Sequence, residues 1–173
     1  MKVKNCTQVF SHTVGTAMHA AARVSTELST ESKFYIDPTS TNTADLLLFF
    51  DKLFDSVNGT LRHPSPGKEL RCMVTQNSNH ISFWNSALPI LSSMFFTAPH
   101  SNSPIRPPCL KNWVFSIRGL IYLTPKLFAE NFKQYAGRCF NQDPVENFFS
   151  CSRSHGVRNT NPTCSAFISS CKS

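Results

Sequence analysis

The chain has 173 residues, 40% of them hydrophobic and 12% aromatic, with 15 Phe among them. That length and composition exclude a disordered segment and provide for one buried core, or one domain and part of another. Lys and Arg number 17 against 10 Asp and Glu, a net charge of +7, which excludes an acidic tail and suits a polyanionic partner. The excess is uneven: residues 1–99 carry 8 basic and 7 acidic side chains, residues 100–173 carry 9 and 3.

The first residues, MKVKNCTQVFSH, lack the apolar core of a signal peptide, and no apolar run approaches ~18 residues. An intracellular chain with no membrane span is therefore expected. The seven Cys, at 6, 72, 109, 139, 151, 164 and 171, contain no CxxC pair and are expected to be reduced. Cys151, His155, Cys164 and Cys171 cluster in sequence, but their spacing matches no common zinc pattern.

Val3, Phe10, Val14, Ala17, Ala21 and Val24 recur at helical intervals and predict a helix over residues 3–26 with that row inward. Ser29 to Thr43 reads as a loop. Thr43 then caps a second helix whose apolar face is Leu46, Phe49, Phe50, Leu53, Phe54 and Val57, stopped at Asn58-Gly59. Residues 59–79 read as an exposed loop. Ile81 to Phe96 predicts a third helix with Pro89 as a kink, and four prolines make Thr97 to Pro108 extended or turning. Leu110 to Leu123 predicts a fourth helix, with Trp113, Ile117, Leu120 and Ile121 inward and Thr124-Pro125 as its end. Asp143 to Ser154 and Thr163 to Cys171 predict two more. Two-residue alternation is nearly absent, so the fold class is mainly α.

The chemistry concentrates near the C-terminus. In DPVE, Asp143 can be an N-cap, Pro144 the first helical residue and Glu146 the third, a capping box that accounts structurally for both acids. A metal-dependent phosphoryl-transfer site needs several converging carboxylates, and one Glu at a helix start does not supply them. Arg153, His155, Arg158 and Asn159 surround Gly156 ahead of Asn161-Pro162-Thr163. Such a turn, feeding a helix N-terminus, is suited either to phosphate backbones or simply to solvent.

NQDPVENFF followed by RSHGVRNTNPT resembles the C-terminal catalytic segment of P-element-type DNA transposases, including relatives that carry a THAP zinc finger. MKVKNCTQVFSHTV, DKLFDSVNG and LKNWVFSIRGLIYL resemble the helical insertion domain of the same family, in the same order. The resemblance implies a GTP-binding insertion over residues 1–124, followed by the C-terminal end of an interrupted RNase H-like fold over 125–173. It implies that Glu146 is the Glu of a DDE triad and a Mg²⁺ ligand, the two Asp residues belonging to sequence ahead of the insertion. The chain would be a fragment of a cut-and-paste transposase, inactive alone. No GxxxxGK[ST] loop or NKxD occurs, so GTP would be held otherwise, with Asp55, Asp143 and Lys4 as candidate contacts. Arg153, Arg158 and Asn159 would contact DNA at transposon ends. The implied compartment is the nucleus, and the full-length family implies homo-oligomers. The alternative reading is a helical module that binds nucleic acid or protein without catalysis.

Overall fold

The computed structural model describes residues 8–25, 35–98, 103–154 and 163–170. In chain order the elements are α1 (His12–Ser25), α2 (Ser40–Asn58), β1 (Val74–Thr75), α3 (His80–Ser93), β2 (Phe96–Thr97), β3 (Pro104–Ile105), α4 (Pro108–Ala129), β4 (Gln134–Tyr135), a 3-10 turn (Gly137–Phe140), α5 (Asp143–Ser154) and α6 (Cys164–Ser170). The fold is mainly α, as expected. Among the described residues, the strands form two short antiparallel pairs, β1 with β4 and β2 with β3, and isolated bridges join Leu61 to Cys72 and Ser65 to Lys68.

Helix α1 packs on α2, and α3 on α4. The core between them holds Leu53, Val74, Trp84, Ala87, Leu91, Leu110, Val114, Ile117 and Tyr135. Burying side chains such as Leu53, Leu91 and Ile117 completely stabilises the fold by about 1.5–3 kcal/mol each. Trp84 brings a polar atom into this core. Its Nε1–H donates to Ser56 Oγ at 3.0 Å, and Ser56 Oγ–H donates to the Leu53 carbonyl at 2.7 Å. Buried polar groups that are satisfied in this way fix one packing arrangement.

Several sequence expectations are corrected. The inner face of α1 includes Gly15, Ala22 and Ser25, while Phe10, Ala17 and Val24 are exposed. The physical reason is close approach: a Cβ on Gly15 would lie 2.7 Å from Leu48, so the small residues face α2. Helix α2 begins at Ser40, before Thr43, which lies inside it. On its expected face, Leu46 and Phe54 stand exposed, and Ala44, Leu47 and Ser56 are buried instead.

The expected stop at Asn58-Gly59 holds, but Gly59 is extended rather than left-handed. Its missing side chain makes room for the backbone of Cys72, whose oxygen would sit 2.2 Å from a Cβ. That contact draws part of residues 59–79 inward. Residues 60–64 are exposed as expected, but Leu70, Cys72 and Val74 are buried. His80 pins the same segment, its Nε2–H donating to the Leu70 carbonyl at 3.0 Å while Nδ1 faces Ser78 Oγ at 2.9 Å. Burial pushes the His80 pKa below its ordinary value, against the opposing pull of the Leu70 and Cys72 backbone.

Helix α4 does not end at Thr124-Pro125 but continues to Ala129. Thr124 is buried and bonds both ways, donating to or accepting from the Tyr135 hydroxyl at 2.6 Å and lying 2.6 Å from the Leu120 carbonyl. Pro125 removes one main-chain donor from the helix. The side-chain contact of Thr124 with β4 holds this part of the helix to the body. Asn131, at φ 66°, then turns the chain toward β4.

Candidate functional site

Helix α5 spans Asp143–Ser154, as the sequence predicts. Its start is built differently from a capping box. Asn141 Oδ1 accepts the Asp143 N–H at 3.0 Å, and the Glu146 N–H donates to the Gln142 carbonyl at 2.9 Å. The Glu146 carboxylate takes a hydrogen bond from the Gln142 side-chain amide rather than reaching back to a cap. Asp143 pairs with Arg138 at 3.2 Å, which ties the 3-10 turn to the helix. Both acids also lie in the first turn, where the helix dipole favours negative charge.

Asn141 has a second bond. Its Nδ2–H donates to Asn58 Oδ1 at 3.1 Å, joining the end of α2 to the entry of α5 across 83 residues of chain. Beside this contact lies a cleft of about 690 Å³ between α2, α4 and the 3-10 turn. Asn58, Asn112, Ser116 and Asn141 supply polar groups to it, and Trp113, Tyr122 and Phe140 supply aromatic ones. The size and the mix of an apolar lining with a few polar groups fit a small-molecule site. Gly137, on its wall, is required for close approach, since a Cβ there would lie 2.4 Å from the Val57 carbonyl oxygen.

Of the other expected residues, Asp55 lies apart from this cleft. It lines a smaller one with His12, Asp51, Lys52, Lys68 and Glu69. Lys68 Nζ reaches Asp55 at 2.7 Å and Asp51 at 2.9 Å. Burial opposes the Lys68 charge, but the hydrogen bonds and charges of the two carboxylates outweigh it and raise the lysine above its ordinary value. Arg153 is exposed in the last turn of α5, where a cation suits the carbonyl end of the helix. Lys4, Arg158 and Asn159 lie outside the described residues. The sequence reading missed Asn141, Asn112 and Ser116. The Asn58 of DKLFDSVNG and the Asn141 of NQDP were the available signals for the joint between α2 and α5.

Among the described residues, no three His, Cys, Asp or Glu side chains converge on one point. Glu146 is engaged by Gln142 and Asp143 by Arg138. The described residues do not by themselves fit a Mg²⁺ site. No described helix is long and apolar enough to cross a membrane.

Residues 139–172, which include α5 and α6, match a family model described as TNP-like, RNase H C-terminal domain. The fold is thus that of a helical domain followed by an RNase H-like C-terminal segment. Across nearly its whole length the chain is similar in structure to the Drosophila P element transposase of a strand transfer complex. The TM-score is 0.71 at 24% identity, covering 98% of this chain and 35% of that one. The resemblance read from NQDPVENFF and RNTNPT is borne out in both respects. No curated protein sequence matches.

Proposed function

We propose that this chain is a segment of a cut-and-paste DNA transposase. The part up to Ala129, where α4 ends, is a helical insertion that binds GTP, and the part after it is the returning end of an RNase H-like domain, with Glu146 as the last acid of a DDE site. The observation that carries the reading is the agreement of 98% of the chain with one stretch of the P element transposase, joined to the family match over the Glu146 helix. On this reading the partner is transposon-end DNA in the nucleus, and homo-oligomers belong to the longer protein. The cleft beside Asn58 and Asn141 offers hydrogen-bonding groups for a base edge and ring faces for stacking. Asp143, which is bonded to Asn141 of the cleft wall, would accept from a guanine edge once released by Arg138.

Calorimetric titration with GTP tests the nucleotide. Saturable heat is expected, weakened roughly tenfold by Asp143→Ala through loss of a charged hydrogen bond. Absence of heat at millimolar GTP sinks the claim. With one triad acid, the purified chain is expected to leave transposon-end duplexes intact in Mg²⁺ or Mn²⁺, and strand cleavage would overturn the assignment. Replacing Arg153 or Arg158 is expected to lower the salt slope of DNA binding by about one each.

A further inference from the structure

We infer that Asn141 is a positioning residue that couples the occupancy of the cleft to the placement of the Glu146 helix. The inference rests on the reading above that the cleft takes a guanosine nucleotide. Asn141 uses both ends of one amide. Its nitrogen donates to Asn58 Oδ1 at 3.1 Å, on the cleft wall, and its oxygen accepts the Asp143 N–H at 3.0 Å, at the root of α5. An amide fixes these two atoms in one plane, so Asn58 cannot be displaced without rotating the group that holds Asp143.

None of the residues of α5 is buried, and its main packing partners among the described residues are α6 and the 3-10 turn, to which the Arg138–Asp143 ion pair also ties it. Gln142 then connects this root to the Glu146 carboxylate. Asn58 is itself held, its Nδ2–H donating to the Phe54 carbonyl at 3.2 Å, so the strut is anchored in α2. A ligand that orders the Asn58 wall therefore orders the start of α5 through Asn141, alongside the Arg138–Asp143 ion pair. The same strut works in reverse, because coupling between two sites is reciprocal.

Amide hydrogen exchange of the full chain tests this at Glu146 to Phe149. Without ligand, Asn58→Ala is expected to lower their protection about fivefold, the equilibrium worth of one neutral hydrogen bond. In an Asn141→Ala background it is expected to have no further effect. Asn58→Asp keeps the oxygen that accepts from Asn141 but loses the anchoring bond to the Phe54 carbonyl, so its protection is expected to lie between wild type and Asn58→Ala, and protection no better than that of Asn58→Ala would overturn the strut. Unchanged exchange in Asn58→Ala, or additive effects in the double variant, would overturn the strut.

Saturating GTP with Mg²⁺ is then added to the wild-type chain and to Asn58→Ala. About fivefold greater protection of these amides is expected in the first and none in the second. Calorimetric binding without that increase overturns the coupling. Absence of calorimetric binding overturns the nucleotide reading instead, and the ligand-free variants still decide whether the strut exists.

Discussion

Gly137 gives the sharpest test of how the cleft wall is held. A Cβ added there would lie 2.4 Å from the Val57 carbonyl oxygen and 2.8 Å from its carbon. Both are backbone atoms at the end of α2, so neither can swing away as a side chain would. Real Cβ contacts do not fall below 3.0 Å, so Gly137→Ala forces α2 and the 3-10 turn apart by about 0.6 Å. Overpacking of this kind costs about 1–3 kcal/mol. For a chain of this length that lowers Tm by roughly 2–12 °C. A shift of that size also stretches the Asn141–Asn58 bond beyond hydrogen-bonding reach. Urea denaturation followed by circular dichroism measures the loss. Gly119→Ala is the matched control, since Gly119 lies within α4 and a Cβ there meets nothing within 4 Å. It is expected to stabilise by about 0.4–1 kcal/mol. Equal midpoints for the two variants would refute the close-approach argument.

Three further outcomes are expected. Lys68→Met leaves Asp51 and Asp55 without their shared cation and is expected to destabilise by about 1–3 kcal/mol, read from the urea midpoint. His80 is held neutral by burial, so its folded pKa lies below the unfolded 6.5. The unfolded chain takes up the proton first, and stability falls as pH drops below 6.5 until the folded value is reached. A thermal scan at pH 7 and pH 5 of wild type and His80→Gln checks this, and an unchanged pH slope in the variant would remove His80 as its source. Phe148→Glu on the exposed face of α5 is expected to reduce dye binding and aggregation with a Tm within about 2 °C of wild type.

The parts of this fold legible in the sequence are those set by local signals. Asp143-Pro144 marked the start of α5, and Asn58-Gly59 marked the end of α2. The parts that were not legible depend on distant neighbours. The face of α1 is chosen by Leu48 pressing on Gly15, so a row of larger apolar residues is left outside. Residues 59–79 carry turn chemistry, yet Gly59 admits Cys72, and Leu70, Cys72 and Val74 are buried while the turn residues stay outside. Thr124-Pro125 has the form of a helix stop, but Thr124 finds Tyr135 and the helix runs on. At the candidate site, Glu146 and Asp143 were visible from their motif. Asn141 was not singled out, because its role is set by an oxygen 83 residues away.

Phe132, Phe140, Phe148 and Phe149 are half-exposed or nearly so, although Phe140 meets Tyr135 edge-on at 5.4 Å. Phe148 and Phe149 meet Phe167 of α6 edge-on or tilted, at 6.2 and 6.1 Å, which shields only one side of the pair. A chain this lightly covered at one end holds its shape there by few contacts.

Helix α4 gives that observation a mechanical side. Its 22 residues make a rod about 33 Å long. Leu110, Val114 and Ile117 clamp its first half in the core, while Trp113, Ser116 and Leu120 form one wall of the cleft. Its far half reaches the strand that precedes the 3-10 turn, fastened by Thr124 to Tyr135. The rod is thus a lever with its fulcrum in the core. Pro125 sits in that far half, where it leaves one main-chain hydrogen bond of the rod unmade.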